Sequence, residues 1–134
     1  MKIALSLILS AASSMCSAAE VTYSDQYRAC IDEAYNGGGP FERMTCFVDE
    51  TKRQGAQLDA AYKAALHAMP KERQPNLREA QRTWLKFIGQ NCDFFHNAES
   101  GAIPGESRAS CVMRMTAERR AELVEIEAAA AGRG

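Results

Sequence analysis

The sequence predicts an all-α domain, a disulfide-stapled four-helix bundle built from two helical hairpins. Three observations predict it. No segment alternates apolar and polar residues with β-branched enrichment, while alanine, arginine, glutamate, lysine and glutamine dominate. One seam repeats in steps of four and three from Met44 to Met69. Four cysteines form two pairs, each symmetric about a glycine-containing turn.

The chain has 134 residues, and the first 19 are expected to be a secretory signal. Lys2 precedes the apolar run Ile3-Ala4-Leu5-Ser6-Leu7-Ile8-Leu9, and Ser17-Ala18-Ala19 before Glu20 supplies a small-x-small cleavage pattern near Ala19. Cys16 leaves with the signal, and Met15 before it is a poor residue for a lipid-attachment site. Residues 20–134 suit a single domain with a modest core. Nothing in them approaches the ~18 consecutive apolar residues of a membrane span. The expected location is periplasmic or secreted, with no membrane span.

The first helix is predicted over residues 22–35, where Tyr23, Tyr27, Cys30, Ile31 and Ala34 share a face. Asn36-Gly37-Gly38-Gly39-Pro40 ends it, and Pro40 opens the second helix. That helix runs to Pro70 with the seam Met44, Val48, Thr51, Gly55, Leu58, Tyr62, Ala65 and Met69. Gly55 within the seam costs ~1 kcal/mol relative to alanine, or else permits a close crossing or a kink. Pro70 and Pro75 bracket a break. The third helix is predicted over residues 76–97, with the stripe Leu77, Gln81, Trp84, Ile88, Asn91 and Phe95 and with Trp84 as core anchor. Ser100-Gly101-Ala102-Ile103-Pro104-Gly105 breaks it. The fourth spans residues 107–130 with Val112, Met115, Arg119, Leu123 and Ile126 on one face.

Cys30, Cys46, Cys92 and Cys111 are an even set in an exported chain, which reads as two disulfides. Residues equidistant from the turn of a helical hairpin lie side by side. Cys30 and Cys46 have their midpoint at Gly38, and Cys92 and Cys111 have theirs between Gly101 and Ala102. Hairpin geometry therefore predicts Cys30–Cys46 and Cys92–Cys111, each bond contributing ~3 kcal/mol. Cys92 and His96 at i and i+4 would be half of a zinc site, but no second half is evident and no metal or other cofactor is expected.

Residues 20–134 hold 15 basic and 17 acidic side chains, too balanced to imply a nucleic-acid partner. The distribution is uneven: net −5 over residues 20–50, +5 over 51–92 and −2 over 93–134. No serine elbow or phosphate loop lies near His67 or His96, and Glu118, Glu122 and Glu125 read as a solvated face, so no enzyme is expected. Gln81 and Arg119 interrupt apolar stripes and are expected to bond to each other or to backbone. With Leu58, Tyr62 and Trp84 they form the predicted structural core.

Leu58-Asp59-Ala60-Ala61-Tyr62, then Ala80-Gln81-Arg82-Thr83-Trp84 eight residues before Cys92-Asp93-Phe94, then Cys111 ahead of Thr116-Ala117-Glu118-Arg119 resemble the N-terminal domain family of the lysozyme inhibitor LprI. The likeness spans residues 30–126. It implies a small exported helical domain with paired cysteines. The Arg-Asp pair that many members carry four and five residues after the tryptophan is replaced here by Ile88 and Gly89.

The function the resemblance implies is an exported binding protein, an inhibitor of lysozyme or of a related cell-wall hydrolase. The alternative is a structural, accessory or immunity-type envelope protein that does not inhibit lysozyme. An inhibitor must offer donors to a carboxylate-lined cleft, and two turns present candidates. Residues 36–40 adjoin the acidic first segment, and residues 99–107 with their neighbour Arg108 offer Ser100, Ser107 and Arg108 as partner contacts.

Overall fold

A computed structural model describes residues 20–95 and 103–132. It contains α1 (Asp25–Asn36), α2 (Pro40–Ala68), α3 (Gln74–Asp93) and α4 (Glu106–Ala131). Among the described residues there is no strand, and no helix is long and apolar enough to cross a membrane.

The boundaries differ from the predicted ones for identifiable reasons. α1 begins at Asp25 rather than residue 22 because the Ser24 hydroxyl accepts a hydrogen bond from the Tyr27 amide and caps the first turn. α3 begins before Asn76, since Pro75 falls in the first turn, where its missing N–H costs nothing. Gln74 closes the break by donating Nε2 to the Leu66 carbonyl at the end of α2, 3.0 Å away. α3 ends at Asp93, four residues short of the prediction.

Both hairpins are stapled as their midpoints predict. Cys30 bonds to Cys46 with Cα atoms 5.8 Å apart, and Cys92 bonds to Cys111 with Cα atoms 5.5 Å apart. The hairpins then pack through their second helices: α2 against α4 is the main interface, with α1 on the flank of α2 and α3 on the flank of α4. α2 and α4 run parallel. Arg43 meets Glu106 near the two N-termini, Gln54 and Arg120 meet over Thr22, and Leu58 meets Leu123 further along.

Two apolar clusters lie along this axis. Leu58, Ala61, Ala65, Met69, Leu77 and Leu123 form the larger one, with Tyr62 and Ile126 against its edge. Ile88, Cys92, Cys111 and Met115 form the smaller one. Trp84 touches both, yet it is half-buried rather than enclosed, so it bridges the clusters instead of anchoring one. Tyr62 is also half-buried.

The second-helix seam needs a correction in its first half. Val48 is 42% exposed, whereas Phe47, Glu50 and Gln54 are buried. Met44, Thr51 and Gly55 are only partly covered. The true register runs Phe47, Glu50, Gln54, Leu58, Ala61, Ala65, one step round the helix, because this stretch is held between α1 and α4, where the Glu50 carboxylate and the Gln54 Nε2 find partners. Gly55 serves no close crossing, since a Cβ placed on it meets nothing within 4 Å.

Across α3 and α4, Arg119 is 6% exposed and donates Nε to Gln81 Oε1 at 3.0 Å. Its NH1 reaches Glu122 Oε2 at 2.6 Å. Burying a guanidinium is costly without such partners.

Two stability measurements check this account. Replacing Gly55 by alanine should raise stability by about 1 kcal/mol, seen as a higher thermal midpoint, because the helix gains propensity and nothing is crowded. Arg119→Met should lower it by about 1–2 kcal/mol by leaving the Gln81 carbonyl unpartnered, with the helical circular-dichroism spectrum unchanged.

Candidate functional site

Because α2 and α4 are parallel, the turn of the first hairpin and the segment leading into α4 lie at the same end of the molecule. Arg43 ties them together. Its Nε and NH2 donate to Glu106 Oε1 and Oε2 at 2.6 and 3.3 Å, a forked contact on the first residue of α4. Gly105, just before it, has φ 90°, a left-handed conformation that glycine adopts without strain. The Glu106 partner holds the Arg43 guanidinium more firmly protonated than usual, the hydrogen bond outweighing the effect of burial.

The α1–α2 turn encloses a groove of about 610 Å³ whose walls include Cys30, Glu33, Ala34, Gly38, Glu42 and Cys46. The Cys30–Cys46 disulfide is part of its lining. Gly38 packs so closely on α1 that a Cβ there would stand 2.9 Å from the Ala34 Cα, so only glycine lets the turn close this tightly. Tyr35 and Phe41 flank the turn and are 68% and 65% exposed. The Arg43 guanidinium lies 5.1 Å from the centre of the Tyr35 ring, near enough for a cation–π contact.

On the other hairpin, Ser107 and Arg108 are both partly covered. Arg108 is already engaged, donating Nε to Asp93 Oδ1 at 2.5 Å across the base of the loop. Ser100 lies outside the described residues, as does His96. Cys92, the other member of that histidine's proposed half-site, is spent in its disulfide. Among the described residues no three histidine, cysteine or carboxylate side chains gather to hold a metal ion. Glu118 and Glu122 are paired with Arg114 and Arg119.

Sequence reasoning missed the most enclosed charged group. Glu50 has 0% of its surface exposed. It accepts from the Ser24 amide at 2.9 Å, the Ser24 hydroxyl at 2.5 Å, Gln54 Nε2 at 2.7 Å and Arg53 Nε at 2.9 Å. Gln54 Nε2 also donates to the Thr22 carbonyl at 2.9 Å, and Arg120 NH2 donates to the Thr22 hydroxyl at 3.0 Å. Burial by itself would raise the Glu50 carboxyl, but the hydrogen bonds from Ser24, Arg53 and Gln54 prevail and hold it down to about 2. The signal was present in the sequence: Glu50 and Gln54 are i,i+4 and in phase with Phe47 and Leu58.

The model of the lysozyme inhibitor LprI family matches residues 16–123, most of the chain. The chain belongs to the LprI family. Comparison with curated proteins and with solved structures finds no match. The family and the two disulfides agree with an extracytoplasmic protein. Of the residues that carry the LprI resemblance, Leu58, Gln81, Cys92, Cys111 and Arg119 are buried scaffold, whereas Asp59, Arg82 and Asp93 are exposed. Ile88, standing where many LprI members have arginine, packs in the smaller apolar cluster.

The Glu50 cluster gives a pH signature. Its carboxyl is lower in the folded chain than the ordinary 4.5, so its contribution is complete above pH 4.5 and is lost as pH falls toward 2. Equilibrium unfolding across that window should show stability falling with acid, and falling less in Glu50→Ala. At neutral pH that variant should be less stable by about 3 kcal/mol, since Ser24 and Gln54 lose their acceptor.

Proposed function

We propose that this protein is an exported inhibitor of lysozyme or of a closely related cell-wall hydrolase, acting in the periplasm or outside the cell after cleavage near Ala19. The observation that carries the reading is the family match over residues 16–123. The charge distribution supports it: residues 20–50 carry net −5, which attracts an enzyme that is itself cationic. On the second hairpin, Ser107, Arg108 and Ser100 are the proposed partner contacts. Arg108 acts there only by exchanging Asp93 for a carboxylate of the partner.

The test is lysis of a cell-wall suspension by a cationic lysozyme. Micromolar mature protein with intact disulfides should slow lysis at low salt. Raising ionic strength to about 0.15 M, where the Debye length is about 8 Å, should weaken the effect. Alanine at Ser100 and Arg108 should weaken it further. Absence of inhibition at low salt would replace this reading with the accessory or immunity-type one.

A further inference from the structure

We propose that the α1–α2 turn is the main part of the docking surface, with Ser107 and Arg108 beside it at the start of α4, and that its groove receives a lysine or arginine side chain presented on a loop of the cationic lysozyme-type partner. The proposal rests on the function proposed above and assigns its surface.

The groove has the shape and chemistry for that occupant. Its lining includes a disulfide and Ala34, so the aliphatic stem of a basic side chain finds apolar surface inside. Glu33 and Glu42 are exposed at its rim, and among the described residues neither forms a salt bridge, whereas Glu50, Glu106 and Glu118 each do. A cationic head group would meet two carboxylates there, with charge-assisted hydrogen bonds available to it. An apolar side chain would leave them without partners.

The surroundings are built like a binding surface. Tyr35 and Phe41 are left in water within six positions of each other, in a chain whose apolar clusters are small. Exposed aromatics at a rigid turn are the side chains that carry most energy in protein interfaces. Rigidity is supplied three times: by Cys30–Cys46, by the close approach of Gly38 to Ala34, and by Arg43, which Glu106 holds against the Tyr35 ring. Such preorganisation lowers the entropy lost on binding. Asp32, Glu33 and Glu42 are exposed here and form no salt bridge among the described residues, which favours a cationic protein and repels nucleic acid, anionic membrane and a second copy of the same acidic turn.

The experiment uses the mature, disulfide-bonded protein labelled with nitrogen-15 and titrated separately with a cationic lysozyme and with a hexalysine peptide. Amide shifts should centre on residues 33–46 with both probes. The double variant E33Q/E42Q should raise the Kd for lysozyme about tenfold and flatten its salt dependence, with the thermal midpoint unchanged. Y35S/F41S should raise the Kd at least as much while keeping the salt slope. E79Q, at an exposed position of α3, should bind like the parent.

If lysozyme binds but the shifts map elsewhere, or E33Q/E42Q binds like the parent, the docking surface is overturned and the inhibitor reading stands. If lysozyme fails to bind, hexalysine decides: a response at residues 33–46 that E33Q/E42Q abolishes supports the surface while the lysozyme reading falls, and no response overturns both. Dimerisation through this turn, seen by sedimentation, would overturn the assigned occupant.

Discussion

Arg43 and Glu106 stand 63 residues apart and meet through two hydrogen bonds at the head of the α2–α4 interface. That interface sets the arrangement of everything else. With α2 and α4 parallel, α1 and α3 fall on outer flanks, and the turn of the first hairpin comes to lie beside the start of α4. A hairpin alone buries one face of each helix. It is the joining of two hairpins through their second helices that gives α4 buried residues around much of its circumference, including Met113, Ala117 and Ala121 as well as Met115 and Leu123.

Polar groups fix the register of that packing. Glu50 and Gln54 occupy positions in the buried stripe of α2, and their directional bonds to Ser24 and Thr22 fix how the chain before α1 lies on it. They also bring in the extended residues 22–24, which Arg120 grips from α4. One buried carboxylate therefore ties the entry of α1 to the middle of α2, while Gln54 and Arg120 meet on Thr22 beside it. Gln81 and Arg119 do the equivalent between α3 and α4.

The disulfide pairing was legible because it follows from symmetry about a turn, a property of sequence distance alone. The helices were legible because no proline lies beyond their first turns and most of their ends carry proline, glycine or serine. The first half of the α2 seam was misread because apolar periodicity assumes that buried positions are apolar. Glu50 and Gln54 violate that rule and are paid for by partners as far as 32 residues away. The parallel pairing of α2 with α4 was illegible for a related reason: both helices offer apolar faces, and nothing local states which faces meet. The same blindness affected the candidate contacts. Arg108 reads as a free donor in sequence, yet its partner Asp93 lies across a loop.

The two kinds of cohesion are unevenly placed. The larger apolar cluster lies toward the end where α2 joins α3, while both covalent links lie toward the opposite end, beside the smaller cluster. A chain with free thiols still has its hydrocarbon half, but the half bearing the groove loses the covalent link between its two helices. Reduction of the two bonds would therefore act unevenly, loosening the turn that bears the groove while the larger apolar cluster stays packed.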